Sequence, residues 1–466
     1  MTYSKEQLLT NTEGLTSELS DLDKKHLIHP VAVPKHHASK GPKIIFSKGD
    51  GINVKDLNEH TYIDGVSMLW NVNVGHGKKE LADVAHHQMS KMAYSSTFYG
   101  YGNEPAIRLA EKISRLTPGD LNTVFFTSGG SESNDTAFKL SRFYWQLKGF
   151  KDKRKIISLR RGYHGVTVSA QRATGIDAFR NFSGSTDPDI VNAKAHLTEC
   201  ELGDKTHPEY SGCIRSVIEE LGADKIAAVI VEPIQGAGGV HVPPEGYLKA
   251  VRALCDEFNI LLIADEVICG FGRTGEMFGV SHWDITPDLM SIAKGITSGY
   301  AQLGGVVMND RVADTIKEYN DILPHGFTYS GHPTACAVGL KNIEIVEREG
   351  LVKNAYKMGK ELEKGFTYLE EKHEFFTNPR TVGLLAGFDL MKDPVVNIPF
   401  DSSVQAAVSV VEECYQRGLL IRCFDFEPGM NIVAVAPPLI IQKQEIETII
   451  SILDEAMTAF SQKVKW

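Results

Sequence analysis

The chain has 466 residues, of which 42% are hydrophobic and 23% are charged. These values are ordinary for a globular protein, and the length allows one large and one smaller domain, each with its own core. The 49 basic and 59 acidic residues give a formal net charge of −10, which argues against a general binder of nucleic acid or of anionic membranes. The main basic cluster, at residues 151–155, is predicted to be a solvated helix end.

The cysteines, histidines and N-terminus exclude several classes of protein. Seven cysteines without a C-x-x-C pair predict reduced thiols rather than a disulfide framework or a zinc cluster. The pairs His36-His37 and His86-His87 are adjacent rather than spaced as ligands on one helix face, so we expect no metal site. The N-terminus is polar and no later run is apolar enough to span a bilayer. We therefore expect a cytoplasmic protein that does not enter a membrane.

Three regions follow one another along the chain. Residues 1–65 read as a helical start, a loop rich in proline and histidine, and a small hairpin at the turn Gly49-Asp50-Gly51, and we assign them to the smaller domain. In residues 66–330, near-continuous apolar runs alternate with helical patterns, which predicts an α/β domain with a mostly parallel sheet covered on both faces. In residues 331–466, long amphipathic helices and further strands predict a smaller α+β domain.

Two strand ends carry the most informative residues, Asp265 after NILLIA and Lys294 after DLMSIA. Ligands bind beyond the carboxyl ends of the strands in an open α/β sheet. A lysine that forms a Schiff base and a carboxylate that keeps a pyridine nitrogen protonated are the groups that a pyridoxal 5'-phosphate enzyme needs. For Asp265 alone, helix capping or a surface ion pair is the alternative, whereas a lysine after a buried strand is costly. The neighbouring Glu266 points to the other face and is expected to pair with Arg273.

A second strand end has the composition of an anion site. Ser128, Gly129, Gly130 and Ser131 lie between an apolar strand and a helical pattern, where free main-chain N–H groups and a hydroxyl can bind phosphate. An ordinary N-terminal helix cap, using Ser131 with Ser133 or Asn134, explains the same residues equally well.

Further strand ends supply Tyr163, His164 and Glu232. Tyr163 could stack on a planar ring, although a tyrosine at such a position is more often part of the core. The segment GFGRTG matches a dinucleotide motif by its letters, but it does not follow its strand directly and no convincing helix comes after it. We interpret GFGRTG as a structural turn.

Together these residues resemble the class III, ω-type aminotransferases, which have fold type I and use pyridoxal 5'-phosphate. The resemblance covers nearly the whole chain. Its motifs are DGVSMLWNVNVGHG, SGGSES, GYHG, VEPIQGAGGV, ADEVICGFGRTG, AKGITSGY, HGFTYSGHP, LLIR and APPL.

The resemblance implies a role for each cofactor-site residue. Lys294 would be the Schiff-base lysine and proton shuttle, and Asp265 would pair with the pyridine nitrogen. Val267 would pack on the ring face opposite Tyr163, while Gly130 and Ser131 would hold the phosphate. Glu232 would lie near the cofactor's 3'-hydroxyl, within reach of His164, and Thr328 would reach the phosphate of a neighbouring subunit. A homodimer, or a dimer of dimers, is therefore expected.

The resemblance also indicates a substrate pocket. Trp70 matches a wall tryptophan of amine:pyruvate members, with Phe98, Tyr99 and Phe327 as further walls. Arg422 matches an arginine that swings in to bind a substrate carboxylate, which a bidentate guanidinium suits; a surface ion pair is the alternative. Asn71 and Gln302 depart from a cysteine and a proline common in the family, and we expect both near the pocket entrance. A third departure, Ser128-Gly129-Gly130-Ser131 in place of Asn-Ser-Gly-Ser, leaves open which hydroxyls touch phosphate.

The expected activity is transamination, in which an amine or ω-amino acid donates its amino group to an oxo acid, with pyruvate as the expected acceptor. Two other uses of the same cofactor stay open, those of an aminomutase and of a dialkylglycine-type decarboxylase. A non-catalytic cofactor-binding protein is a further alternative. The residues leave the donor open among β-alanine, taurine, 4-aminobutyrate, diamines and aryl-alkyl amines.

Overall fold

The computed structural model describes residues 5–184, 187–194, 212–427 and 429–464. Its helices are α1 (Lys5–His26), α2 (Pro34–Lys40), α3 (Ser67–Trp70), α4 (Lys79–Lys91), α5 (Glu104–Ser114), α6 (Gly130–Leu147), α7 (Val168–Ala173), α8 (Asp177–Arg180), α9 (Gly212–Leu221), α10 (Tyr247–Glu257), α11 (Asp310–Lys317), α12 (Pro333–Arg348), α13 (Leu351–Lys372), α14 (Ala406–Gln416) and α15 (Lys443–Val464). Its strands are β1 (Phe46–Asp50), β2 (Asn53–Asp56), β3 (Thr61–Asp64), β4 (Leu121–Thr127), β5 (Lys155–Leu159), β6 (Ile190–Ala193), β7 (Ile226–Val231), β8 (Leu261–Asp265), β9 (Leu289–Ile292), β10 (Gly304–Asn309), β11 (Phe376–Val382), β12 (Leu385–Asp393), β13 (Ile398–Pro399), β14 (Leu419–Leu420), β15 (Arg422–Phe424) and β16 (Ile432–Val435). Across the described ranges, every helix is too short or too polar to cross a membrane.

A seven-stranded sheet with the order β4-β10-β9-β8-β7-β5-β6 forms the centre of the molecule. Strands β9, β8, β7, β5 and β6 pair in parallel, whereas β10 runs antiparallel to both β4 and β9. Val229 of β7 packs in one core with α5, α10 and α12, and Ile230 packs in a second core with α6. Because both faces are covered, β7, β8 and β9 are apolar along nearly their whole length. The predicted α/β architecture is confirmed.

Two smaller sheets lie outside the central one, and the first of them joins the beginning of the chain to its end. One has the order β1-β2-β3-β14, with β14 parallel to β3, and the other has the order β11-β12-β16-β15, with β13 paired to β12. Residues of α13, α14 and α15 share one apolar core with these strands. The pairing of β3 with β14 agrees with the assignment of residues 1–65 to the smaller domain, and the boundaries at 65/66 and 330/331 stay predictions.

The predicted pair of Glu266 with Arg273 is wrong. The Glu266 carboxylate accepts hydrogen bonds from the main-chain N–H groups of Gly279 and Val280, at 2.8 and 2.7 Å. The Arg273 side chain is fully buried and donates instead to the carbonyl oxygens of Leu384 and Pro437 and to the side chains of Ser67 and Asn73. The turn GFGRTG therefore has a structural role, since its arginine joins the central domain to the last strands.

The solvated basic cluster predicted at residues 151–155 also needs a correction. Lys153 is 5% exposed, its Nζ donates to the carbonyl oxygen of Asn259 at 2.6 Å, and it lies 4.1 Å from the centroid of the Trp145 ring. The long apolar stem of lysine can be buried when its charged end finds such partners. This lysine therefore holds the end of α6 against the sheet.

Candidate active site

A cavity of about 510 Å³ opens beyond the carboxyl ends of β7, β8 and β9. Ten of the predicted site residues line it, which are Trp70, Gly130, Ser131, Tyr163, His164, Glu232, Asp265, Val267, Lys294 and Arg422. Because these residues come from distant parts of the chain, their convergence on one cavity is the strongest structural sign of a functional site.

Asp265, the last residue of β8, is 3% exposed and lies in a network of hydrogen-bond donors. Its Oδ2 atom is 2.8 Å from Nδ1 of His164 and accepts from Nδ2 of Asn134 at 2.7 Å, while its Oδ1 atom accepts from the Val267 N–H at 3.1 Å. These contacts fix the orientation of the carboxylate. Asp265 therefore presents an oriented negative charge to the cavity.

Lys294 follows β9 and is half-buried, with a left-handed backbone at φ 46°. Such a conformation is costly for a residue other than glycine and is found mainly where the surrounding structure requires it. Among the residues that the structure describes, none forms a hydrogen bond or ion pair with Lys294 Nζ, which lies 5.9 Å from the centroid of the Trp70 ring. Burial lowers the pKa of Lys294 to about 8, against the opposing effect of the Asp265 charge. A neutral amine, able to act as nucleophile or base, is thus accessible near physiological pH.

Glu232 follows β7 and lies beside this pair. Its Oε1 atom accepts from the Tyr163 N–H at 2.8 Å, and its Oε2 atom accepts from the Gly236 N–H at 2.9 Å. Burial raises the pKa of Glu232 to about 7, although the nearby His164 opposes this effect. The carboxyl group therefore fixes the loop that carries Tyr163 and can exchange a proton near neutral pH.

The first turn of α6 closes another side of the cavity. Ser133 is turned inward, where its Oγ atom contacts Thr127 and the carbonyl oxygens of Gly129 and Ile292. The alternative of a side-chain cap at this helix start is not formed. Ser131 faces the cavity, and its Oγ atom accepts from the Val166 N–H at 3.2 Å. A Cβ atom at Gly130 would lie 2.9 Å from a methyl group of Val267. The glycine is needed for this close approach, and the free N–H groups of the first turn suit an anion.

The other end of the cavity is aromatic and carries one cation. The rings of Trp70 and Phe424 are stacked at a centroid distance of 5.9 Å, and the Arg422 guanidinium lies 5.3 Å from the Trp70 centroid. Phe179 and Phe426 add two edge-to-face rings to the wall. No carboxylate of the described residues pairs with Arg422, so the alternative of a surface ion pair does not hold.

Several predicted residues lie away from this cavity. Phe98 and Tyr99 line a separate groove, next to the loop of Phe327 and Thr328, and the Tyr99 side chain is 89% exposed. Ser128 and Gly129 precede the cavity-lining part of α6. A single chain therefore does not bring these six residues to the site, and their roles stay predictions. Asn71 and Gln302 are not among the residues that line the cavity, and their expected place near its entrance stays a prediction.

Sequence reasoning missed other residues of the cavity wall. The sequence indicates a helix cap as the role of Asn134, whereas its Nδ2 atom donates to both Asp265 and the His164 carbonyl oxygen. Its position one turn after SGGS, facing the sheet, is the signal that could have identified it. Pro30 and Val31 also line the cavity, although they are far in sequence from its other residues. No sequence motif at these two positions indicates such a role.

Comparisons with known proteins agree with this geometry. The family model of the class-III aminotransferases matches residues 35–457. The solved structure of a transaminase from the marine bacterium Virgibacillus is 48% identical, covers 96% of this chain and 100% of its own, and superposes with a TM-score of 0.92.

Two curated bacterial enzymes are each 36% identical to the chain. One is the putrescine–pyruvate aminotransferase of Pseudomonas aeruginosa, and the match covers 95% of this chain and 96% of that enzyme. The other is the diaminobutyrate–2-oxoglutarate transaminase of Halomonas elongata, and the match covers 94% of this chain and 96% of that enzyme. The predicted family and transaminase activity are thereby confirmed: the chain belongs to the class-III aminotransferases.

Proposed function

We propose that this aminotransferase binds pyridoxal 5'-phosphate in the cavity at the strand ends and transfers an amino group from an amine or ω-amino acid to pyruvate. The observation that carries the proposal is the unpaired Lys294 amine in the same cavity as the oriented Asp265 carboxylate. When bound, this cofactor supplies an electron sink for the carbon atom that loses its proton.

The residues present fit this cofactor. Gly130 and Ser131, at the N-terminus of an 18-residue helix, would hold its phosphate, because a helix start favours anions. Asp265 would hold the protonated ring nitrogen, since its carboxylate is oriented by hydrogen bonds from Asn134 and Val267 and by its contact with His164. Tyr163 and Val267, which line the cavity, would pack on the two faces of the ring.

Lys294 would accept and return the proton that moves during transfer. The nearby ring of Trp70 and the buried surroundings of Nζ exclude water, and burial lowers the pKa of Lys294 to about 8, so that a fraction of the amine is neutral and basic near physiological pH. Arg422 would bind the carboxylate of the oxo acid, because its guanidinium faces the cavity without a carboxylate partner among the described residues. A three-carbon oxo acid such as pyruvate needs one such clamp.

We further propose a homodimer in the cytoplasm. Thr328, Phe98 and Tyr99 are exposed on the single chain, so a second copy would have to bring them to a site, as the family pattern predicts. Each of the five cysteines whose side chains are described is a free thiol, which supports a reducing location.

The decisive experiment replaces Lys294 with alanine. We expect K294A to lose turnover by about 10⁴-fold or more and to lose the visible absorption that the bound cofactor gives the wild-type protein. Lys153→Ala, a second buried lysine outside the cavity, is the matched control and should keep both properties. An active K294A variant would contradict the proposal.

The acceptor is tested with a donor panel in which pyruvate and 2-oxoglutarate compete. A preference for pyruvate is expected, because one guanidinium, that of Arg422, faces the cavity in the described part of the chain. A clear preference for 2-oxoglutarate would contradict the pyruvate assignment and leave the aminotransferase activity intact.

A further inference from the structure

Three side chains near the N-terminus converge on one point. Asp23 lies on α1, His37 lies on α2, and His29 lies in the loop between these helices. The His29 Nε2 atom is 2.8 Å from Asp23 Oδ2, and the His37 Nε2 atom is 2.7 Å from Asp23 Oδ1. The two imidazole rings are 4.2 Å apart, and the three ligand atoms all lie within 4.8 Å of one another.

This cluster, rather than an apolar core, holds the segment together. In residues 25–40, His29 and His37 alone are turned inward, and the His37 side chain is 10% exposed. Large apolar side chains of the same segment are not buried in the single chain, with Ile28 85% and Val31 66% exposed. A short segment that buries no apolar surface needs another kind of cross-link to stay ordered.

Hydrogen bonding does not account for the cluster fully. The Asp23 Oδ1 and His37 Nε2 atoms are buried and close together, yet their relative orientation forms no hydrogen bond. Lys24, the residue next to Asp23, is paired with Asp21 at 2.6 Å, so its charge is not directed at the Asp23 carboxylate.

We propose that Asp23, His29 and His37 form a binding site for a divalent transition metal ion of the zinc class. Imidazole nitrogen and carboxylate oxygen are the ligands that Zn²⁺ takes in proteins, and three of them leave the fourth tetrahedral position to water. The site lies outside the cavity at the strand ends and does not depend on the cofactor proposed there.

The consequence for the enzyme is an ordered cavity wall. Pro30 and Val31, directly after His29, line the active-site cavity, and Val31 has a left-handed backbone at φ 52°. This conformation is strained for a β-branched residue and persists only when its surroundings hold it. A metal ion at His29 would hold this loop in place.

The test is metal binding by the full-length, tag-free holoprotein after treatment with a chelator. Titration with Zn²⁺ against a chromophoric chelator should give one tight site per chain. Co²⁺ in its place should give the visible absorption of a tetrahedral site without sulfur-to-metal bands. His37→Ala and Asp23→Asn should each weaken Zn²⁺ binding by about tenfold or more. His36→Ala, which removes the exposed neighbour of His37, is the matched control and should bind like the wild type.

Hydrogen exchange gives a second readout, which reports where along the chain Zn²⁺ binds. Zn²⁺ should slow exchange of the amides of residues 27–40 in the wild type and in H36A, but not in H37A. Retained transaminase activity and an unchanged melting temperature of the metal-free variants show that they fold. Equal Zn²⁺ affinity of the wild type and H37A, sulfur-to-metal bands, or binding without protection of residues 27–40 would each overturn the proposal.

Discussion

The two ends of the active-site cavity are built in different ways. At the Asp265 end, polar side chains come from strand ends of one sheet, and their buried atoms are held by specific hydrogen bonds. At the Arg422 end, aromatic rings come from separate segments, and the guanidinium has ring contacts alone among the described residues. From this difference we expect the first end to fix the chemistry and the second end to adjust to different substrates.

The largest effect is expected from Asp265→Asn. Asparagine keeps the shape and most hydrogen bonds but removes the negative charge, so kcat should fall by about 10²- to 10³-fold. Glu266→Gln is the matched control, because Glu266 is equally buried but bonds to the main chain on the other face. It should lower the melting temperature and leave kcat nearly unchanged. Equal losses of kcat in the two variants would contradict a specific catalytic role of the Asp265 carboxylate.

The next largest effect is expected from Arg422→Ala. Loss of charged hydrogen bonds worth about 1.5–3 kcal/mol should raise KM for pyruvate by about 10- to 100-fold. The variant should accept a short aldehyde, which has no carboxylate, almost as well as the wild type. Arg417→Ala is the control, since Arg417 is also half-buried but pairs with Glu413. An unchanged KM for pyruvate in R422A would remove Arg422 from substrate binding.

The pH dependence of Lys294 gives a third test. Because burial lowers its pKa to about 8, the neutral amine disappears as pH falls through this value. In the cofactor-free protein, capture of added pyridoxal 5'-phosphate, followed by absorbance in a stopped-flow instrument, should therefore slow about tenfold per pH unit below pH 8. Asp265→Asn should move this inflection to lower pH, because the Asp265 charge favours the protonated amine. An inflection near the ordinary value for lysine would contradict a buried amine.

The smallest effect is expected from Trp70→Phe. The Trp70 Nε1 atom is buried without a hydrogen-bond partner among the described residues, so phenylalanine loses no hydrogen bond. The face of a phenylalanine ring attracts a cation less strongly than the face of a tryptophan ring. The interaction with the Arg422 guanidinium should therefore weaken by about 0.5–1 kcal/mol, which corresponds to about a two- to fivefold rise in KM for pyruvate. Trp70→Ala, which removes the ring, should raise it further. Equal KM values for the wild type and both variants would contradict a role of this ring in holding Arg422.

The same contrast explains how far sequence alone could predict the site. Asp265, Glu232 and Lys294 were predictable because polar residues directly after apolar runs must meet at one edge of a parallel sheet. Phe179, Phe426 and Val31 have apolar side chains of the kind found in any protein core, so the sequence does not distinguish them from core residues. The wrong partner for Glu266 has a similar cause. Proximity along the chain favoured Arg273, whereas the folded turn brings Gly279 and Val280 to the carboxylate.

The joining of the two chain ends sets the order in which the enzyme is completed during synthesis. Ser67, which begins the turn that carries Trp70, donates a hydrogen bond to the carbonyl oxygen of Ala436, 369 residues later. The strand pair of Ile63 with Leu419 closes a loop of similar length. Contacts this distant in sequence form late, because most of the chain must leave the ribosome first. The central sheet can thus be in place while the Arg422 end of the cavity is still missing. A nascent chain that stops before β14 is therefore expected to have a folded central sheet and no activity.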